Sequence, residues 1–376
     1  MYMNVSCLQE TLSKGLGIVG RAVATRTTLP ITQNVLIATD HGRLKLTATN
    51  LEMAISTWIG STVEDEGDIT IPARLLSEFV GSLQNEKVDM VTTNQPQAMT
   101  LTCARYEARI MGTDAGEFPP IPTVEDGVTA KINAAVLKKA INLVVFAAAT
   151  EESRPVLTGV KLELEDDQFT LAAADGFRLA VHKDKLEEPI AENTEAIIPA
   201  RTLNELNRLL SDQTDTVELV LSPTRGQALF RLNNVEVVSQ LIQGAFPNYA
   251  QLIPQSFTTR AGLRVDECLR AARTAAIFAR DSSGIVRLHI QDGPPGSLQV
   301  LARAEEVGEN SAEMDAEVEG GEAKIAFNAK YLMDVLGVID TDNVALEVTT
   351  PSSPGVLRPS NMENYIHVIM PMFVQW

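Results

Sequence analysis

The chain has 376 residues, of which 45% are hydrophobic and only 5% aromatic, and 49 acidic against 31 basic side chains give a formal net charge of −18. That length holds about three cores of ordinary domain size, built from aliphatic side chains. No run of about 18 apolar residues occurs and MYMNVSCLQETLSKG has no basic stretch leading into an apolar one, so neither a membrane span nor a secretory leader is expected and the cytoplasm is.

From the N-terminus, CLQETLSKGLGIVGRAVAT (7–25) places Leu8, Leu12, Leu16 and Val19 at helical spacing, with Ser6 as the expected N-cap and Gln9 completing a capping box. NVLIATD, the His41-Gly42 turn and RLKLTATN then read as a hairpin. IPARLLSEFVGSL from Ile71 is a short helix, and GEFPPIP (116–122) closes the segment. The same landmarks return. AAVLKKAINLVVFAAAT (134–150) carries Val136, Ala140 and Val144 on a helical face, GVKLELEDD and FTLAAADG read as strands, and IPARTLNELNRLL from Ile198 precedes GAFPNYAQLIP (244–254). A third round follows with DECLRAARTAAIFAR (266–280), the strands of VRLHIQDGPPGSLQVLARA, and FNAKYLMDVLGVI from Phe327. Between these last two, the Glu- and Gly-rich stretch 307–321 is expected to be a long exposed hairpin or a mobile loop.

Matched landmarks in one order predict three tandem copies of one domain, with boundaries after 126 and 256: 1–126, 127–256 and 257–376. Strands joined through short turns imply antiparallel sheets, so the class is α+β. Cys7, Cys103 and Cys268 are odd in number, far apart and in apolar settings, which predicts reduced core thiols.

Gly15-Leu-Gly17-Ile-Val-Gly20, with Asp40 about twenty residues on, matches the dinucleotide fingerprint in letters. That fingerprint needs a strand running into a glycine turn at a helix N-terminus, whereas these glycines fall inside a helical pattern and the second copy has none there. A nucleotide-dependent enzyme is therefore the least favoured reading. His41, His182, His289 and His367 have no Cys or His partner at ligand spacing, and neither a nucleophile elbow nor a P-loop occurs, so no metal, cofactor or catalytic residue is expected.

The acids gather in expected loops at 64–68, 163–167, 187–192 and 305–322, while the repeated first helices carry Lys14 and Arg21, then Lys138 and Lys139, then Arg270, Arg273 and Arg280. Locally basic faces can track phosphates on an acidic protein. The competing reading is an ordinary solvated helix face.

AAADGFRLAV (172–181), VIMPM (368–372), GAFPNYAQLIP and LPITQNVLIATDHGRLKLTATNLEM (29–53) together resemble, in order along the whole chain, segments of the bacterial DNA polymerase III β subunit, the sliding clamp. The resemblance implies a head-to-tail homodimer closing a six-domain ring, with antiparallel sheets outside and helices lining a central channel. It implies a non-catalytic processivity factor on double-stranded DNA, read without sequence preference, with a clamp loader, DNA polymerase and other proteins bearing short hydrophobic motifs as partners. A clamp-fold interaction scaffold without DNA loading is the alternative.

By motif, the partner groove would comprise Leu157, Ala174, Gly176, Phe177, Arg178 and Leu179, with Pro247, Leu252, Val368, Met370, Pro371 and Met372. Methionine suits a site shared by several partners, and Arg178 is expected at the pocket edge as a polar guide. Leu179 and Met370 also read as plain core residues. Channel candidates are Arg26, Arg74, Lys138, Arg201 and Arg273, each equally readable as a surface base. Ile277 and Phe278 would face Ala108 and Ile110 of the partner chain. Ala174 stands where the family often has Thr, Gln251 where an Arg is frequent, and Phe373-Val-Gln-Trp376 replaces the usual short ending, so that Phe373 or Trp376 is expected near the groove rim. AAADGFRLAV and VIMPM have no close counterpart in the other copies, which predicts one partner site per chain.

Overall fold

The computed structural model describes residues 2–212, 215–280, 283–306 and 308–376. The first copy runs β1 (Asn4–Leu8), α1 (Gln9–Val19), β2 (Asn34–Asp40), β3 (Arg43–Thr49), β4 (Met53–Ile59), β5 (Thr62–Asp65), β6 (Asp68–Pro72), α2 (Ala73–Ser82), β7 (Lys87–Asn94), β8 (Gln97–Cys103) and β9 (Tyr106–Met111). The second runs β10 (Val128–Asn133), α3 (Ala134–Val144), β11 (Gly159–Glu165), β12 (Gln168–Ala174), β13 (Arg178–Lys185), β14 (Thr194–Pro199), α4 (Ala200–Leu209), β15 (Thr216–Ser222), β16 (Gln227–Leu232) and β17 (Val235–Gln240). The third runs β18 (Thr259–Arg264), α5 (Val265–Ala279), β19 (Ile285–Gln291), β20 (Gly296–Ala304), β21 (Gly308–Gly320), β22 (Ala323–Asn328), α6 (Ala329–Val338), β23 (Asn343–Val348), β24 (Gly355–Pro359) and β25 (Tyr365–Ile369). Each copy therefore starts with a short strand ahead of its first helix.

Two compact units hold these elements, one of Met1–Ala135, Glu187–Glu192 and Asn204–Leu241, the other of Val136–Leu186, Asn193–Leu203 and Ile242–Trp376. The first contains a five-stranded sheet, β5-β1-β7-β8-β9, and an eight-stranded sheet, β10-β15-β16-β17-β4-β3-β2-β6. The second contains a twelve-stranded sheet, β14-β11-β12-β13-β25-β24-β23-β18-β21-β20-β19-β22. Pairing between the described strands is antiparallel throughout these ladders. In both units one joint between copies is made edge to edge by equivalent strands: β4 with β17, in register Val237↔Ile55, and β13 with β25, in register Leu179↔Val368.

Local chemistry explains most of these elements. The β2–β3 hairpin turns through His41 and Gly42 at φ 48° and 73°, the left-handed pair that a two-residue turn requires. Leu12, Leu16 and Val19 bury one face of α1 against β3 and β4. Leu8 does not join them: it ends β1 with an exposed side chain and serves as the N-cap of α1 without any side-chain bond. Ser6, the expected cap, lies inside β1 opposite Asp89, and Gln9 instead spends its amide on the Val80 carbonyl at 2.7 Å. Gly15 and Gly17 are inside the helix, and a Cβ on Gly15 would stand 2.9 Å from Leu46 Cδ1, so this glycine serves close helix–sheet approach. The stretch expected as a hairpin or loop is the second strand of the long β20–β21 hairpin; Val307 itself lies outside the described residues. Cys7, Cys103 and Cys268 are free and buried, and burial pushes the Cys7 and Cys268 thiols up to about 12, too high for reactivity near neutral pH.

Candidate partner-binding groove and basic helix faces

The groove begins at a turn whose backbone favours glycine. Between β12 and β13 the chain reverses at Asp175-Gly176, where Gly176 takes φ +92° and an added Cβ would meet Arg154 Nη1 at 2.8 Å. Asp175 Oδ1 accepts from the backbone N–H of Phe177 (2.8 Å) and of Arg178 (3.0 Å), fixing the turn. This sets Ala174 opposite Leu179, Leu179 opposite Val368, and Val368 opposite Val356 of β24. The four form one buried apolar cluster, and half-buried Phe246, Tyr249 and Ile253 pack onto it. Tyr249 is held there by its hydroxyl, which donates to Glu163 Oε2, and burial followed by that carboxylate raises its pKa.

Around the cluster the side chains become accessible. Pro247, Leu252 and Phe177 are exposed, Met370 is 39% exposed, and Pro371 and Met372 are half-buried. The Met370 N–H donates to the Phe177 carbonyl (2.8 Å), and Phe177 stacks on Tyr331 with ring centroids 6.3 Å apart. Leu157 is buried in the 155–158 turn, its carbonyl accepting from Ala149 (2.8 Å). An apolar floor with accessible aliphatic, thioether and aromatic side chains at its margin has the chemistry to take short apolar anchors.

Arg178 is not the polar guide at the edge that its position in the motif led us to expect. Its side chain is only 7% exposed and its donors are committed: Nε to Asp175 (3.1 Å), Nη1 to Asp334 (2.6 Å) and Nη2 to the Phe146 carbonyl (2.7 Å). The guanidinium also lies 4.6 Å from the Tyr331 ring centroid and 5.4 Å from that of Phe146. It ties the first residue of β13 to α6 and to the turn after α3, and so holds the groove in shape.

Next to it, in the β13–β25 seam, His182, Tyr365 and His367 are buried together, with His367 stacked on Phe146 at 5.5 Å. Burial and then the Arg178 charge lower the His367 pKa from 6.5 to about 3; burial also lowers that of His182, against the pull of Asp184. Both rings are thus neutral in the fold. As pH falls below 6.5 the unfolded chain takes up the proton first, so stability is lost between pH 6.5 and about 3. Between pH 7.5 and 5.5, His367 alone is expected to cost about 1.4 kcal/mol. Urea unfolding at the two pH values should show this, and His367→Phe should flatten the dependence by that amount. Equal pH dependence in both proteins would contradict the assignment.

Three family models match the chain in succession: DNA polymerase III beta subunit N-terminal domain over 3–122, central domain over 131–248 and C-terminal domain over 250–373. The beta sliding clamp of Synechococcus elongatus is 31% identical over 98% of this chain and 99% of its own, and that of Synechocystis 32% over the same shares. The chain belongs to the DNA polymerase III β-subunit family, the sliding clamps. Among solved structures, the DNA polymerase sliding clamp of Bacillus subtilis superposes with TM-score 0.95 at 29% identity, covering 100% of both chains. A sliding clamp from Pseudomonas aeruginosa bound to griselimycin gives 0.93 at 28%, again over the full length of both. Three clamp domains of α+β build and a non-catalytic role as processivity subunit follow from that membership.

The basic residues singled out for a clamp channel are mostly accessible. Arg26, Arg74, Arg201 and Arg273 are exposed, the last three on α2, α4 and α5, and Lys138 is half-buried on α3. Arg74 is paired with Glu78 at 2.8 Å, one turn along α2. Of the residues expected at a dimer contact, Ile277 is 60% exposed on α5 and Phe278 half-buried, and Ala108 is half-buried on β9. Ile110 is only 4% exposed and faces its own core, so on β9 the accessible side chains include Tyr106, Arg109 and Met111. The clamp-like C-terminus also departs from expectation: Trp376 lies by Lys324 of β22, with Nζ 5.7 Å from the ring centroid, and Phe373 is 86% exposed. Sequence reasoning missed Val356 as part of this floor and Phe246, Tyr249 and Ile253 as the residues packed on it. The GAFPNYAQLIP motif held three of them; nothing local distinguishes Val356 from any other buried strand residue.

Among the described residues no group of three or more His, Cys, Asp or Glu side chains could hold a metal ion, and no helix is long and apolar enough to cross a membrane.

Proposed function

We propose that two copies of this chain join head to tail into a closed ring around double-stranded DNA and tether polymerase, and other proteins with short hydrophobic motifs, through the groove on each copy. The observation that carries this reading is the repeated joint. At β4–β17 and again at β13–β25, the third strand after a first helix pairs with the third strand after a second helix. The remaining strands of those two kinds are β21 and β9. Among the described residues, β21 along Gly308–Ala316 is laddered on one side only, to β20, and β9 pairs only with β8. Charge favours the match, with exposed Glu309, Glu313 and Asp315 on β21 against exposed Arg105 and Arg109 at β9, which outweigh the exposed Glu107 between them. Of the proposed domain limits 1–126, 127–256 and 257–376, the first lies in the gap between the family models over 3–122 and 131–248, whereas the model of the third domain begins at 250, ahead of 257. The working compartment is the cytoplasm, with the rest of the replication machinery.

Inside such a ring, exposed bases on the helices meet phosphates weakly and without base readout, as sliding requires. Loading on nicked circular DNA with a clamp loader, followed by linearisation, tests the reading: retention on circles and release from free ends are expected. Failure to load would leave the interaction-scaffold alternative, and retention after linearisation would rule out topological capture. Ile277→Asp should turn a particle of twice 40.8 kDa into one of 40.8 kDa in light scattering at micromolar concentration, by setting a charge in the contact. An unchanged mass would remove α5 from the interface.

A further inference from the structure

One face of β13 changes character along its length. Leu179, Val181, Lys183 and Lys185 alternate and so share a face. Leu179 belongs to the groove floor, while Val181, Lys183 and Lys185 line a separate cavity of about 490 Å³ with Arg358 and Ile366. Val181 and Ile366 border both, since each also packs on the floor cluster. The two sites are therefore one continuous surface, apolar at the Leu179 end and cationic at the other.

We propose that the groove continues into this cavity, and that its occupant is the flank of the same partner peptide, carrying carboxylates beside the apolar anchors. This rests on the groove reading above. Lys183 and Lys185 are exposed and enter no ion pair among the described residues, so their charge is available. The acids lining the cavity do not outnumber its cations: Asp184, half-buried and bonded to His182 Nε2 (3.3 Å) and Asn364 Nδ2 (3.4 Å), and exposed Glu363 stand against Lys183, Lys185 and Arg358, the last held by Glu347 (3.0 Å). Strand geometry sets the spacing. Four to six residues separate Leu179 from the two lysines, roughly 13 to 20 Å at about 3.3 Å per residue, and an extended peptide on the same face needs its acids about four to six residues from the anchor over Leu179.

The test uses fluorescent peptides on the full chain at low and high salt: anchors alone, anchors with Asp or Glu four and six residues N-terminal, and the same C-terminal. One acidic flank should tighten binding about three- to tenfold at low salt, with most of the gain gone in high salt. In Lys183→Glu/Lys185→Glu, with thermal stability unchanged, that gain should vanish while the anchor-only peptide binds as before. No gain from either flank, or a gain that survives the double substitution, overturns the extension and leaves the groove reading intact. Failure of the anchor-only peptide to bind the unsubstituted chain would overturn both.

Discussion

Met370→Ala will weaken binding of a polymerase-tail peptide by about thirtyfold or more, the loss expected when a central anchor contact is truncated. The residue suits the experiment because it is 39% exposed, so its removal leaves little cavity in the fold, and the effect is read in affinity with thermal stability nearly constant. Leu179→Ala makes a useful contrast. That side chain is 2% exposed inside the floor cluster, and truncation is expected to cost about 2–5 kcal/mol of stability as well as affinity. Fluorescence anisotropy with both variants separates the roles. If Met370→Ala bound within twofold of the unsubstituted chain, the thioether would not be part of the contact surface and the groove assignment would fall.

Arg178→Ala is expected to destabilise the fold around the site by an amount comparable to Leu179→Ala. It strips the cation from Asp175 and Asp334, frees the Phe146 carbonyl and removes the plate that Tyr331 and Phe146 pack on. Breaking a buried pair from one side costs about 3–5 kcal/mol. Asp334 is 31% exposed and regains water, which places the expectation at the low end, about 3 kcal/mol. Thermal unfolding should shift down by roughly 4 °C, and peptide affinity should fall with it, because the Phe177 carbonyl that receives Met370 sits on the same turn. A shift under about 2 °C would mean that the guanidinium is held in a network of little net worth.

What could be seen in the letters and what could not divides along physical lines. Helical spacing around Leu12, Leu16 and Val19, the left-handed turn at His41-Gly42 and the alternation of VRLHI are local periodicities, and each gave the right element. Gly15 and Gly17 lie inside α1, well past the β1–α1 junction where the nucleotide-binding fingerprint needs its glycines. Ser6 misled, since a good capping residue next to a helix is equally at home in the strand that precedes it, and short strands such as β1 carry too few residues to show a period. Long-range commitments were hidden. Arg178 reads as a free charge at a pocket rim until Asp334, 156 positions away, is brought to 2.6 Å. The same applies to Ile110, whose edge strand turns it inward, and to Val356, which becomes groove floor only through its register with Val368.

A joint made of two complementary edges carries a hazard as well as a use. β9 and the Gly308–Ala316 part of β21 are of the same kinds as the strands already mated inside the chain, so in the proposed head-to-tail joint each new copy that docks would offer again the edge it has covered. Whether growth stops at two copies is then a matter of angle: a full turn accumulated over the joints terminates the assembly, and any other value propagates it into a filament. The internal seams at β4–β17 and β13–β25 therefore set more than the shape of one molecule. A substitution there that rotated one copy by a few degrees, with every interface residue unchanged, would convert a finite particle into a polymer whose length rises with concentration.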